Sequence, residues 1–225
     1  MLADMLAATV GVVLDPFAGT GERLAELARM VPTARFVGIE LQQKWASVTP
    51  ELVMVGSVLD LPFADESVAA VVTSPTYGSR MADHHDARDA SVRNTYRHRH
   101  GEPLHPDNSG TLQWGEKYRR FHQVAWAEVY RVLQPDGVLV LNVGDHVRRG
   151  QVVPVSSWHV EHLCEDGAFT LERTVLVNTR KLRYGANSEA RTQGENVFLL
   201  RKEGPPAPAP EQLCQVLPFR SGGAS

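Results

Sequence analysis

Short apolar runs alternate with amphipathic stretches along the first third of the chain. Residues 11–15 (GVVLD) predict a buried strand that ends in a polar turn. Residues 22–30 (ERLAELARM) repeat apolar positions at helical spacing and turn Leu24, Leu27 and Ala28 to one side. A second strand is expected over 35–40 (RFVGIE), a short helix over 41–48 and a third strand over 51–56 (ELVMVG). After the turn-rich LPFADES (61–67), a fourth strand is expected over 68–73 (VAAVVT). Strands separated by helices at this spacing imply right-handed crossovers and a parallel sheet covered on both faces.

Residues 78–114 break the pattern. They are rich in Arg, His, Asp, Asn and Gly, and far longer than the usual connection of about 4–6 residues. Regularity returns with a helix over 116–133, with Phe121, Val124, Ala125, Val129 and Val132 on one face. QPDG (134–137) ends it, and VLVLNV (138–143) predicts a fifth strand. A helix over 156–167 starts on Ser and ends on Gly. Residues 169–178 and 195–202 read as a closing antiparallel pair. The Pro-, Gly- and Ala-rich composition from Gly204 predicts a disordered tail over 204–225, leaving one domain over 1–203 with 78–114 as an inserted, substrate-facing loop.

Composition narrows the class only slightly. At 225 residues and 43% hydrophobic content the chain holds one well-cored domain. No run approaches the about 18 apolar residues of a membrane span, and the apolar start (MLADMLAATVGVV) is expected to belong to the fold. Cys164 and Cys214 stand far apart, so no disulfide framework is expected and a cytoplasmic location follows. The net charge of −3 is unevenly spread: acids outnumber bases over 1–75, and bases outnumber acids over 76–120 and 147–201. Contacts to a polyanion are therefore expected after residue 75.

The first chemical signal is Asp15-Pro16-Phe17-Ala18-Gly19-Thr20-Gly21, between the first strand and the first long helix. In an open α/β sheet this is where ligands bind. Gly19 and Gly21 admit a ligand close to the backbone. Leu24 stands where a dinucleotide fingerprint needs a third glycine, and no Gly-Lys-Ser/Thr follows. The turn therefore suits a nucleoside-type cofactor without a pyrophosphate. Glu40, ending the second strand, is placed to accept hydrogen bonds from ribose hydroxyls, with Leu41 beside it.

The second signal is Ser74-Pro75-Thr76-Tyr77, directly after the fourth strand and hence beside the first in a doubly wound sheet. With DPFAGTG before it, this motif resembles those of the amino-methyltransferases of DNA, whose catalytic motif is Asp/Asn/Ser-Pro-Pro-aromatic. The motif order is similar to their gamma-type arrangement, and the likeness runs from about residue 2 to 202. It implies an α/β, Rossmann-like S-adenosylmethionine-dependent methyltransferase fold with a mostly parallel seven-stranded sheet and an antiparallel terminal pair. It also implies methylation of a base amine, and the form beginning with Ser is associated with N4 of cytosine. The chain departs from the family at Thr76, where a second proline is usual. It departs again after Gly56, where an acid that reads the cofactor adenine is replaced by Ser57 and Val58.

The chemistry follows from the residues. An exocyclic amine is a poor nucleophile because its lone pair is delocalised into the ring. Acceptance of its N–H groups by the Ser74 hydroxyl oxygen and the Pro75 carbonyl favours a tetrahedral nitrogen and stabilises its developing charge. Tyr77 would stack on a base that has left its duplex. No room remains in this sequence for a separate target-recognition domain, so 78–114 is expected to do that work. Arg80, Arg88, Arg93, Arg97 and Arg99 are candidates for phosphates, and Tyr96 and Trp114 for stacking. Asn142, Gly144 and Asp145, ending the fifth strand, line a base pocket or cap the strand, and Arg183 sits with Arg180, Lys181 and Tyr184 in a later basic connection. His84, His85, Asp86, His98, His100 and His105 show no recurring ligand spacing, so no metal is expected. The expected partner is nucleic acid, DNA before RNA, with no membrane, bound by a monomer or homodimer. The alternatives to cytosine N4 are adenine N6 of DNA, a base amine of RNA, or a binding module that keeps the cofactor without catalysis.

Overall fold

Six elements carry the chain to one edge of the sheet. α1 (Leu2–Leu6) precedes β1 (Gly11–Asp15), followed by α2 (Glu22–Met30), β2 (Ala34–Glu40), α3 (Gln43–Ala46) and β3 (Val53–Val55). The chain then returns across β1 to form β4 (Val68–Thr73). After α4 (Glu116–Val132) come β5 (Leu133–Val143), a hairpin of β6 (His146–Arg148) and β7 (Gln151–Val153), and α5 (Val155–Cys164). β8 (Phe169–Asn178) and β9 (Gly194–Lys202) close the sheet. In this computed structural model the described residues are 1–78, 103–178, 192 and 194–203.

The seven-stranded sheet runs β3-β2-β1-β4-β5-β9-β8. The first five strands are parallel, and β9 is antiparallel to both β5 and β8, as expected. Strand order reverses between β1 and β4, which opens a crevice at their carboxyl ends.

Successive residues of the central strands enter opposite cores. Leu14, Val71, Leu139 and Leu141 pack with Tyr118, Trp126 and Val129 of α4. Val13, Ala70, Val72 and Val140 pack with Leu6 of α1 and with Leu24 and Leu27 of α2. Both faces being covered, these strands read as continuous apolar runs rather than alternations. Leu6 is fully buried, so the apolar start is part of the fold. Among the described residues, no helix is long and apolar enough to cross a membrane.

Three details differ from the pattern-based reading. β5 starts at Leu133, not after QPDG: Leu133 pairs with Val68 and Val138 with Ala70, and Gln134–Gly137 bulge out between them. Asp136 sits there at φ 60, a left-handed conformation that acidic turn residues tolerate. The β6–β7 hairpin turns on Arg149 (φ 53) and Gly150 (φ 76). Arg-Gly lacks the usual Asn-Gly signature, so the pattern did not disclose it. α5 ends at Cys164, and Glu165–Gly167 is a single 3₁₀ turn. Its first turn is held from a distance: Asp145 Oδ1 accepts from the Ser156 N–H and hydroxyl, each at 2.7 Å.

One ion pair fixes the connection between β3 and β4. Arg131 donates to both Glu128 carboxylate oxygens, and to Phe63 O, Asp65 Oδ1 and Leu61 O, all at 2.8–3.0 Å. Glu128, itself buried, also accepts from the Leu61 N–H at 2.9 Å. Arg131→Leu would leave that buried carboxylate without its counter-charge, with an expected cost of about 2–3 kcal/mol. Urea unfolding of the variant checks this, and a loss below about 0.5 kcal/mol would show that the pair is a surface ornament.

Candidate active site

The DPFAGTG turn joins β1 to α2 at the crevice. Asp15 Oδ1 accepts from the Phe17 N–H at 3.0 Å and from the Thr73 hydroxyl at 2.7 Å, so the ends of β1 and β4 are tied together. The Ala18 N–H donates to Ile39 O, and Thr20 O accepts from the Thr49 hydroxyl. The two glycines serve different ends. Gly21 (φ 76) starts α2, and a Cβ there would lie 2.5 Å from Val53 Cγ2. Gly19 (φ 56) faces open space, with nothing within 4 Å of an added Cβ. Glu40 braces the turn: Oε2 accepts from the Gly19 N–H at 2.9 Å and Oε1 from the Gln42 N–H at 2.8 Å.

The SPTY segment leaves β4 on the other side of the crevice. Ser74 Oγ and Tyr77 Oη are hydrogen-bonded at 2.9 Å. Asn142 Nδ2 donates to Glu195 Oε2 at 3.0 Å and makes a long contact of 3.4 Å to Ser74 Oγ. Tyr77 packs beside Gly144, where a Cβ would meet its ring at 3.4 Å. Pro75 is buried. The Thr76 hydroxyl donates to Ser109 Oγ at 3.0 Å, and Thr76 O accepts from the Tyr118 hydroxyl at 2.6 Å.

Both motifs open on one cavity of about 690 Å³, counting its mouth to solvent. Of the predicted residues, Pro16, Phe17, Gly19, Glu40, Leu41, Ser57, Val58, Ser74 and Thr76 line it. Asp15, Ala18, Thr20, Gly21, Pro75, Tyr77 and Asn142 are not among its lining residues. Ser57 Oγ accepts from the Leu59 N–H at 3.1 Å, closing a tight turn whose Ser57 and Val58 line the cavity. Trp45, Phe121, Asp107, Asn108 and Ser109 also line the cavity and were not foreseen. The last three lie in 103–114, the last third of the expected loop. There Asn108 Oδ1 accepts from the Gly110 N–H, and the His105 N–H donates to Gln42 Oε1. The Pro-Asp-Asn-Ser run at 106–109 is a turn signature that could have revealed this. Glu195, which accepts from Asn142, is likewise not signalled by the sequence, where it only opens a strand.

Two expectations take a different form. Asp145 serves α5 and does not line the site. Trp114 is half-buried and packed against Tyr118, Trp158 and Arg119, its backbone N–H donating to Gly78 O at 2.9 Å. Arg80, Arg88, Arg93, Tyr96, Arg97, Arg99, Arg180, Lys181, Arg183, Tyr184, His84, His85, Asp86, His98 and His100 lie outside the described residues, as does 204–225.

The crevice perturbs its ionisable groups. Burial pushes the Asp15 carboxyl up to about 6, against the opposing hydrogen bonds from Thr73 and Phe17. Burial also raises Glu40, against hydrogen bonds from the Gln42, Gly19 and Leu41 backbone. Behind Phe17, burial lowers His122 to about 4 against its hydrogen bond to Tyr118 O. His159 is held well below the usual imidazole range by burial and by the neighbouring His122 and His162.

The sequence model of one family, described as DNA methylase, matches residues 68–218, from β4 and the SPTY segment onward. Among curated proteins no relative matches. Of solved structures, TrmN from Thermus thermophilus is similar over 90% of this chain and 48% of its own, at 16% identity and TM-score 0.56. The cyclase SpnF is similar over 89% of this chain and 80% of its own, at 16% identity and TM-score 0.54. A SAM-dependent methyltransferase from Aquifex aeolicus is similar over 89% and 86%, at 15% identity and TM-score 0.50. At these identities the likeness is one of fold.

The opposed shifts of Asp15 and His122 make a testable pH signature. The native Asp15 holds a proton between its ordinary 3.8 and about 6, so its contribution to stability falls as pH rises through that window. The unfolded His122 takes a proton below 6.5 and the native one only near 4, so its contribution falls as pH drops. Asp15→Asn keeps an acceptor for Thr73 and Phe17 but removes the first effect. Unfolding free energy between pH 4 and 6 should then rise with pH more steeply than in the parent, by about 1 kcal/mol per unit. Equal slopes in urea titrations would show that Asp15 is not perturbed.

Proposed function

Because this chain belongs to the DNA methylase family, we propose that it transfers a methyl group to the exocyclic amine of a base in DNA, with N4 of cytosine as the favoured target. Its cofactor is S-adenosylmethionine, which when bound supplies an electrophilic methyl group on sulfonium sulfur. The residues present suit that group. The open side of Gly19 admits it against the backbone, Glu40 offers carboxylate oxygens to ribose hydroxyls, and Phe17, Leu41, Trp45 and Val58 provide apolar walls. Ser57 stands where an adenine-reading acid is usual, so the Ser57–Leu59 turn takes that place.

The observation that carries the reading is the shared cavity: Gly19 and Glu40 on one side and Ser74 and Thr76 on the other. A base whose amine enters from the SPTY side meets two acceptors, Ser74 Oγ and the Pro75 carbonyl. Drawing on both N–H groups, they disfavour the planar, conjugated amine and turn its lone pair toward the cofactor side. The N–CH3 bond would form as the S–CH3 bond breaks and the sulfonium becomes a neutral thioether. The same two oxygens are already oriented for the positive charge that develops on nitrogen, and the surplus amine proton would leave along one of these hydrogen bonds to water. Tyr77 and Asn142, which hold Ser74 Oγ in the free protein, re-partner as the amine arrives, leaving the Tyr77 ring against the base. The preference for cytosine rests on Ser74 as the first residue of the motif.

Expression in a methylation-free host, followed by mass spectrometry of nucleosides from DNA and RNA, tests this. N4-methylcytosine should accumulate in DNA. Ser74→Ala should lower its formation about 100-fold or more while leaving cofactor affinity within about twofold. N6-methyladenine instead would move the target to adenine, and methylation confined to RNA would replace DNA as the substrate. Cofactor binding with no methylated base in either pool would sink the enzymatic reading.

A further inference from the structure

Thr76 removes a constraint on which the chemistry depends. A proline at that position would fix its own φ and also restrict the preceding residue, and so set the plane of the Pro75 carbonyl. Threonine does neither. Yet both polar groups of Thr76 beyond its own N–H are held: the hydroxyl by Ser109 and the carbonyl by the Tyr118 hydroxyl at 2.6 Å.

The hydrogen-bond directions behind Tyr118 follow from elementary donor and acceptor chemistry. Trp126 Nε1 can only donate, and it lies 3.0 Å from His159 Nδ1, so Nδ1 must be the bare nitrogen. The neutral ring then carries its proton on Nε2, which donates to Tyr118 Oη at 2.9 Å. The phenolic proton is left to donate to Thr76 O. Tyr118, Trp126 and His159 are all buried, and burial keeps His159 neutral, the state this arrangement needs. The relay also draws on two helices: Tyr118 and Trp126 are on α4, and His159 is on α5, whose first turn Asp145 secures to the end of β5.

We propose that Trp126, His159 and Tyr118 form a buried, one-directional hydrogen-bond relay that positions the SPTY loop, holding by tertiary contacts the carbonyl geometry that a second proline would impose covalently. This rests on the base-amine reading above. The three are positioning residues: they act on Thr76 and the Pro75 carbonyl, not on substrate. In a dry environment such a chain is stiff only when every member is satisfied, so removal of one hydroxyl is felt at its far end.

The decisive measurement is a double-substitution cycle on kcat with the full chain. Tyr118→Phe should lower kcat about tenfold with the KM for S-adenosylmethionine within about twofold. In a Thr76→Pro background, where the ring restores the constraint, the same change should cost less than about threefold. Trp126→Phe, which removes one N–H and keeps an aromatic ring, should follow Tyr118→Phe in direction in both backgrounds. Equal losses in the two backgrounds would mean that Tyr118 merely supports the fold, and no loss in either would remove it from the loop altogether. Imidazole ¹⁵N shifts of His159 give a readout independent of turnover: Nε2 protonated and Nδ1 bare is expected, and the opposite tautomer overturns the relay alone. Absence of any turnover by the unsubstituted protein overturns the base-amine reading, and the positioning role with it.

Discussion

Asp15 and Thr73 end neighbouring parallel strands, and the 2.7 Å hydrogen bond between their side chains is where the two halves of the site meet. The pairing beneath it, Val13 with Ala70 and Leu14 with Val71, puts the carboxyl ends of β1 and β4 side by side. Strand order reverses at this point, so the loops that follow the two strands diverge and leave a crevice between them. The glycine turn then forms one wall, and Ser74 to Tyr77 the other. Shift either strand by one residue and every side chain of that strand changes face, taking the clasp with it. The burial of both sheet faces, with Val13 and Leu14 both fully enclosed, is what makes such a shift costly.

Around that clasp the protein keeps polar groups in places that disfavour charge. Asp15 and Glu40 are both raised by burial, and both are held by backbone N–H groups of the turn they organise. A carboxyl group whose proton is held more tightly by burial responds to a cationic ligand, because a nearby positive charge favours its ionised form. On the opposite side, His122 and His159 are kept neutral by the aromatic packing of α4 and α5. The site is thus accompanied by two acids that burial makes harder to ionise and two histidines that burial makes harder to protonate. This suits a reaction that needs hydrogen-bond acceptors of fixed direction rather than a strong acid or base.

The sheet alone says little about chemistry. A cyclase shares it as closely as a methyltransferase does, at TM-scores of 0.54 and 0.50. What separates such proteins is the set of side chains at the strand ends. The family match over residues 68–218 starts at the strand that delivers the SPTY segment, so it bears on the half of the site that carries Ser74 and Thr76.

Local pattern was enough to determine the central strands, α2, α4 and the antiparallel closing pair, because both cores demand apolar residues at periods that only those elements satisfy. It was also enough to place the glycine turn after β1 and the SPTY segment after β4, since each depends on residue types a few positions apart. It did not determine how 103–114 folds back, because Asn108 and Ser109 find their partners through contacts with residues far away in sequence. Glu195 shows the same limit: its place beside Asn142 is set by the register of β9 on β5, which pairs Asn142 with Val197. Nor could residue types disclose the capping of α5 by Asp145, or the line from Trp126 through His159 to Thr76. A hydrogen bond between buried side chains depends on where two helices are packed to within 3 Å of each other, and only the tertiary structure decides that.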